Sequence, residues 1–301
     1  MLVLLACYNG GRWIGRQIDS ILAQEAVDVR CVIADDGSSD ETLQEIARFL
    51  PTGRVTLSGS GPPTGSAAQN FLRLIRAASA AGFDFVALAD QDDVWQPAKL
   101  SRACRALGSC ASAGYSSATI ATWPDGRELI LRQAMRVREA DFLFEGAGQG
   151  CTFVLRVEFY ERVRRFVTAH EPLTRAIHYH DWMIYALARS WGQPWTFDPS
   201  PSVHYRQHAG NDTGARASTS GVRKRLTLVK RGWYRTQLAA VVSVCAAAAP
   251  EKSVIAAWRT AFESRKGWRR RLRLAGFALR AGRRKRLDNA VVVFAALAGW
   301  I

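Results

Sequence analysis

Residues 83–100 read FDFVALADQDDVWQPAKL. Phe83 to Ala89 is a short, mainly apolar run that suits a buried strand. It ends on Asp90-Gln91-Asp92-Asp93, and Pro97 then falls in the first turn of a helical pattern that stops at Gly108. In an open α/β sheet, ligands bind beyond the carboxyl ends of the strands, so an acidic loop in this place can carry chemistry. Three carboxylates in four residues repel one another unless a cation lies between them, and hard ions such as Mg²⁺ or Mn²⁺ take carboxylate oxygens together with substrate phosphates. A solvated acidic turn capping the next helix accounts for the same four residues.

Three further strand-to-helix units precede this one. Leu2 to Cys7 predicts a strand, followed by a helix with Ile14, Ile18, Ile21 and Leu22 on one stripe. Val29 to Ala34 predicts the second strand, and Ser38 with Glu41 reads as a capping box opening a helix that buries Leu43, Ile46 and Leu50. A third strand falls at Val55 to Leu57, and Ser66 with Gln69 repeats the capping pattern before Phe71, Leu72 and Ile75. Alternation of this kind predicts a mostly parallel sheet with helices on both faces. Parallel strands would bring Tyr8-Asn9-Gly10-Gly11, Asp35-Asp36-Gly37-Ser38 and Asp90-Gln91-Asp92-Asp93 to one sheet edge. No GxGxxG follows the first strand and no GxxxxGK[ST] occurs, which disfavours dinucleotide and kinase-type sites.

Further on, strands are expected at Ser116 to Thr122 and Cys151 to Leu155. Helices are expected around Tyr160 to Val167 and from Asp181 to Trp191. The six cysteines form no CxxC pair, so they read as reduced core residues of a cytosolic protein. The opening MLVLLAC lacks a basic stretch and is soon broken by polar residues, so a buried strand is a better reading than a signal peptide. The formal net charge of +15 is uneven: residues 222–301 hold 19 Lys and Arg against 3 acids, and residues 1–221 are close to neutral. A polar Gly/Ser/Thr stretch near 214 marks a boundary between a domain of residues 1–215 and a basic helical tail, 216–301. From Trp268 to Arg284, Trp268, Leu272, Ala275 and Leu279 fall broadly opposite Arg269, Arg273, Arg280 and Arg284. That pattern fits an interfacial helix on an anionic membrane surface, a solvated cap on the catalytic domain, or, third, a nucleic-acid contact.

Read together, ACYNGGRWIGRQIDSIL, ADDGSSDETL, ALADQDDVWQPAKL, GQGCTFVLRVEF, HDWMIYALARSWG and HYRQHAGNDTGA resemble, in order, the inverting family-two glycosyltransferases of the GT-A fold, in the rhamnosyltransferase-like branch. The resemblance covers most of residues 1–215. It implies a donor-nucleotide site at Ala6, Tyr8, Asn9, Asp35, Asp36, Asp90 and Gln91, with Asp36 or Asp35 on the nucleobase and Asp90 on the ribose. It implies a Mg²⁺ or Mn²⁺ ion on Asp92 and His208, while Asp93 leaves the acidic assignment ambiguous. Asp181 of the HDW motif takes the place of the general base, although an Asp opening an apolar helix is equally an N-cap. Diphosphate or acceptor contacts are expected from Asp93, Trp95, Gly150, Cys151, His180, Trp182 and Arg206.

The implied activity moves a sugar from a dTDP- or UDP-linked donor, foremost dTDP-L-rhamnose, to a glycan or lipid-linked saccharide hydroxyl in bacterial cell-surface polysaccharide synthesis. A protein of this kind works in the cytoplasm or on the inner face of the plasma membrane, with no nucleic-acid partner. A nucleoside diphosphate leaves readily once a metal neutralises its charge, so a single protein base suffices, whereas a glycosidase needs two carboxylates. The competing readings are another donor sugar, a nucleotidyltransferase, which lacks here a GxGTR-like phosphate loop, and a non-enzymatic basic membrane-binding module.

Overall fold

The computed structural model of the chain describes residues 1–59, 61–208, 232–264 and 267–301. The expected boundary near residue 215, with the end of the HYRQHAGNDTGA segment, lies outside them.

The first strand shows how the sheet is buried. In β1 (Leu2–Cys7), Leu2, Leu4 and Ala6 enter one hydrophobic core while Val3, Leu5 and Cys7 enter another. Successive strand side chains point to opposite faces, so an unbroken apolar run demands cover on both. One face is covered by α1 (Gly11–Leu22), through Ile14, Ile18 and Ile21, with α2 (Thr42–Ala47) and α4 (Lys99–Gly108). The other is covered by α3 (Ala67–Ala77), α5 (Val157–Ala169) and α7 (His180–Ser190), the short α6 (Glu171–Thr174) linking the last two.

β1 pairs in parallel with β2 (Arg30–Asp35) and β4 (Phe85–Asp90), and β3 (Val55–Leu57) extends the parallel set beside β2. Beyond β4 the sheet is mixed: β8 (Val154–Arg156) runs antiparallel to β4 and to β6 (Gly114–Thr122). β9 (Trp195–Arg206) lies parallel to β6, while β5 (Val94–Trp95) and β7 (Glu128–Leu131) pair antiparallel to β9 and β6. The strand order is β3-β2-β1-β4-β8-β6-β9-β5.

Two local expectations are corrected. Ser38 and Glu41 form no capping box: the Ser38 hydroxyl donates to Asp35 Oδ1 at 2.5 Å, and Asp40 Oδ1 accepts from Thr42 N at 3.0 Å as α2 begins. A competing local acceptor has displaced the cap, and of the three apolar residues Ile46 alone is buried, Leu43 and Leu50 facing solvent. Cys151 lies not in a strand but in a 3₁₀ turn, Gly150–Thr152, just before β8. The Ser66 cap does form, accepting from Gln69 N, but the Gln69 amide donates to the carbonyls of Thr174, Arg175 and Ile177 instead of closing a box.

The C-terminal segment comprises α8 (Trp233–Ala248), α9 (Ser253–Glu263), α10 (Trp268–Ala281) and α11 (Arg286–Ala298). Leu238, Val241, Val244, Cys245 and Trp258 are buried in the same core as Phe142, Phe144 and Trp182. Arg284, which the sequence places on a polar face, is buried instead, pairing with Asp141 Oδ2 at 3.2 Å and Glu145 Oε1 at 3.5 Å. Burial pushes the Asp141 carboxyl above its ordinary range even with Arg189 and Arg284 beside it. Losing one guanidinium therefore leaves a poorly compensated buried acid. Arg284→Met is expected to cost about 3 kcal/mol of unfolding free energy; an unchanged urea midpoint would show that Arg189 suffices.

Candidate active site

The register of the parallel strands brings their carboxyl ends together, Cys7 beside Asp35 and Ala6 beside Asp90. The loops that follow are laced by hydrogen bonds. Tyr8 N donates to Gln91 Oε1 at 2.7 Å and Gln91 Nε2 returns a bond to Tyr8 O at 2.8 Å. Asn9, in the left-handed region at φ 48°, donates its backbone N–H to Ser38 Oγ and accepts from Ser39 N on Oδ1, both at 2.8 Å. A Cβ at Gly10 would fall 2.3 Å from Gln91 Oε1, so the Gln91 clasp requires glycine there. The three polar clusters thus form one rim, and in it Gln91 is a brace between loops.

Within the second cluster the two aspartates brace different loops. Asp36 is buried and accepts from Thr64 N at 2.7 Å, Thr64 Oγ1 and Gly65 N at 2.9 Å, with Arg73 Nη2 at 3.3 Å. Its oxygens anchor the 64–65 loop. Half-buried Asp35 accepts from Gly37 N at 3.1 Å and Ser38 N at 2.9 Å on Oδ2, which holds its carboxylate at the strand end. Ala6 contributes only strand backbone at the rim, its side chain being buried.

In the third cluster Asp92 and His208 meet: His208 Nε2 lies 2.7 Å from Asp92 Oδ2, both side chains partly accessible. The topology explains the encounter, because β5 follows the acidic loop directly and pairs with β9, whose end returns to that loop. Arg206 Nε donates to Asp92 O at 3.0 Å, and the His208 ring stacks on Trp13 at 4.3 Å. A carboxylate and an imidazole converging at the mouth of the sheet are donors suited to a divalent ion.

Asp90, Asp93 and Cys151 also bring ligand atoms within 4.8 Å of one another. That trio is a poor site for a hard cation. Cys151 is fully buried and its thiol is held well above the ordinary range, first by burial and then by Asp93 and Asp90. Burial, with Asp92 and Asp90 nearby, likewise holds the Asp93 carboxyl well up. Beneath them lies Lys99, its ammonium 3.4 Å from the centroid of the Trp95 ring and drawn down to about 7 by burial. Asp93, Cys151 and Trp95, expected at the diphosphate or acceptor, are therefore interior packing under the acidic loop.

Asp181 lies in the first turn of α7 and not at its cap, which is Tyr179. Its Oδ1 accepts from Trp182 N at 2.6 Å. The 3₁₀ turn carrying Gly150 packs against it: a Cβ at Gly150 would lie 2.8 Å from His180 Nε2 and 3.2 Å from Asp181 Cβ. Glycine here lets the backbone after the β4 side of the site approach Asp181. Gly150 is thus a spacer. Trp182 is a core residue, its Nε1 donating to Phe142 O at 2.8 Å.

His180 is buried and stacked on Phe71 at 3.9 Å, and burial lowers its pKa to about 3, so it packs as a neutral ring instead of contacting an acceptor. Because the unfolded chain binds this proton near pH 6.5 and the folded one does not, stability is complete above that pH and falls as pH drops toward 3. Between pH 7 and pH 5 the loss from this group is about 2 kcal/mol. His180→Phe keeps the stack and should reduce the difference between urea unfolding at the two pH values by that amount; an identical difference would refute the account.

Sequence reading missed Trp13, Lys99 and the exposed Arg12 and Arg16 of α1, which lie on the Arg206 side of the site. The signal for Arg12, Trp13 and Arg16 was GRWIGR directly after the first polar loop, with arginines four apart on one helical face.

Comparison with known proteins bears on the family and the fold. The profile described as glycosyltransferase like family 2 matches residues 1–193. The chain is 35% identical over 245 residues to the dTDP-rhamnosyl transferase RfbG of Shigella flexneri, which covers 80% of this chain and 84% of the relative. Among solved structures it resembles S. aureus TarS 1-349 in complex with UDP, with a TM-score of 0.57 at 13% identity, covering 99% of this chain and 86% of that one. It also resembles the mannosyltransferase PcManGT from Pyrobaculum calidifontis in complex with GDP-Man and Mn²⁺, with a TM-score of 0.52 at 17% identity, covering 99% and 85%. The GT-A architecture is shared with these structures, and the match across residues 1–193 together with the Shigella relative makes the chain a member of the glycosyltransferase family 2, a sugar-transferring enzyme.

Proposed function

We propose that the protein transfers a sugar, with inversion, from a nucleotide-diphosphate donor to a hydroxyl of a glycan or lipid-linked saccharide, and that the donor is dTDP-L-rhamnose. The observation that carries the reading is the single rim formed by Tyr8, Asn9, Asp35, Asp90 and Gln91, with Asp92 and His208 meeting at its acidic loop and Asp181 packed against the Gly150 turn. The rhamnose assignment draws on the Shigella relative.

In this reading Asp35 receives the nucleobase and Asp90 the ribose, and Asp92 with His208 holds Mg²⁺ or Mn²⁺. Such an ion, when bound, neutralises the charge that develops on the leaving diphosphate. Arg206, steadied on the Asp92 carbonyl, adds positive charge on the same side. Asp181 takes the proton of the acceptor hydroxyl as its oxygen attacks the anomeric carbon from the face opposite the diphosphate. Fixing both reactants in this geometry supplies much of the remaining acceleration.

A thermal-shift screen of nucleotide sugars with Mn²⁺ tests the proposal, since a ligand bound only by the folded state raises its apparent stability. dTDP-L-rhamnose should give the largest shift. A larger shift with a UDP- or GDP-linked sugar would reassign the donor, and no shift with any nucleotide sugar would overturn the reading of the rim.

A further inference from the structure

We propose that α10 and α11 form a membrane-docking hairpin that seats the protein on an anionic lipid surface. On α10, Trp268, Leu272 and Leu279 are exposed at 66%, 52% and 64%, and Arg269, Arg273 and Arg280, also exposed, repeat the same spacing one residue later. One residue is about 100° of helix, so an apolar ridge runs beside a guanidinium row. α10 is buried on a different side, through Leu274 and Ala278, so the ridge is not a displaced core face. α11 adds exposed Leu287, Val291, Phe294 and Leu297. Arg271, which donates to Leu297 O, and Asn289, which donates to Ala278 O at 2.9 Å, tie the two helices together.

Charge decides the occupant. Arg269, Arg271, Arg273, Arg280, Lys285 and Arg286 are all exposed, while the only acid in residues 267–301 is Asp288. A second copy of the chain would set these arginines against themselves across a two-fold interface. Nucleic acid would satisfy the guanidiniums but leave the Trp and Leu ridge without cover. An anionic bilayer satisfies both, accepting apolar side chains at the acyl boundary and cations at the headgroups, with Trp at the level where the two meet. Among the described residues no helix is long and apolar enough to cross a membrane, so the docking is peripheral. The proposal does not depend on the sugar transferred.

Flotation of the 301-residue chain with vesicles of phosphatidylcholine alone, and of phosphatidylcholine with one third phosphatidylglycerol, tests it without any donor. Binding is expected to the anionic vesicles and to weaken with salt. Arg269→Gln/Arg273→Gln/Arg280→Gln should lose roughly a hundredfold in apparent affinity, at about fivefold per cation. Trp268→Ser/Leu272→Ser/Leu279→Ser should also lose binding, with circular dichroism and melting temperature unchanged because the three side chains are exposed. Equal flotation of wild type and both variants would overturn the proposal. So would a dimer in sedimentation velocity that the serine variant dissociates while no vesicle binding is seen, or tight duplex DNA binding that survives the serine changes without flotation.

Discussion

Asp181→Asn is expected to bind the donor as tightly as wild type and to turn over roughly a thousandfold more slowly, the scale on which a positioned general base acts. The substitution is close to isosteric, and the amide oxygen can still accept from Trp182 N, the contact that fixes the side chain in the first turn of α7. What the amide cannot do is receive the acceptor's proton. Calorimetric donor binding beside steady-state turnover separates the two effects. Wild-type turnover would remove Asp181 from the mechanism, and equal losses in donor affinity and turnover would make it a structural residue of the donor pocket. A companion variant, Asp181→Glu, keeps the base but pushes it toward the close-packed Gly150 turn. It should recover only part of the rate.

The sequence was most legible where one local pattern implied one local structure. Each of the first four strands lies within two residues of its predicted span, and for β1 and β4 the reason is that short apolar runs buried on both sides have few alternatives. The meeting of three polar loops followed from parallel pairing alone. Side-chain allegiance was much less legible. Asp35 and Asp36 are adjacent and identical in kind, yet one accepts from its own turn at Gly37 and Ser38 and the other closes onto Thr64 and Gly65, in a loop 28 residues away that sequence spacing does not place. Asp92 and Asp93 are neighbours in the turn before β5, yet the Asp93 side chain is buried beside Cys151 and Lys99 while that of Asp92 meets His208. The tail misled for a related reason. Arg284 looked like a surface cation, and the acids that bury it, Asp141 and Glu145, lie some 140 positions upstream.

The assignment of the ion to Asp92 and His208 instead of the Asp90, Asp93 and Cys151 trio leads to the second large effect. Asp92→Asn should reduce the donor affinity measured with Mn²⁺ about a hundredfold, to the value seen without metal, because a neutral amide at the mouth of the cleft cannot balance a divalent ion. His208→Asn should cost about tenfold in the same assay, since a neutral ligand contributes less charge. Cys151→Ala should leave the Mn²⁺ dependence intact, its thiol being buried and protonated. Calorimetry of donor binding with and without Mn²⁺ in the three variants distinguishes the two sets of ligands. Loss of metal dependence in Cys151→Ala together with its retention in Asp92→Asn would move the ion into the interior trio. It would also require Lys99, which lies beside Asp93 and over Trp95, to give up its place. That displacement is the physical reason to expect the opposite result: the Lys99 side chain already fills the position next to the trio, and a divalent ion there would be desolvated beside a carboxyl and a thiol that burial holds toward their protonated forms.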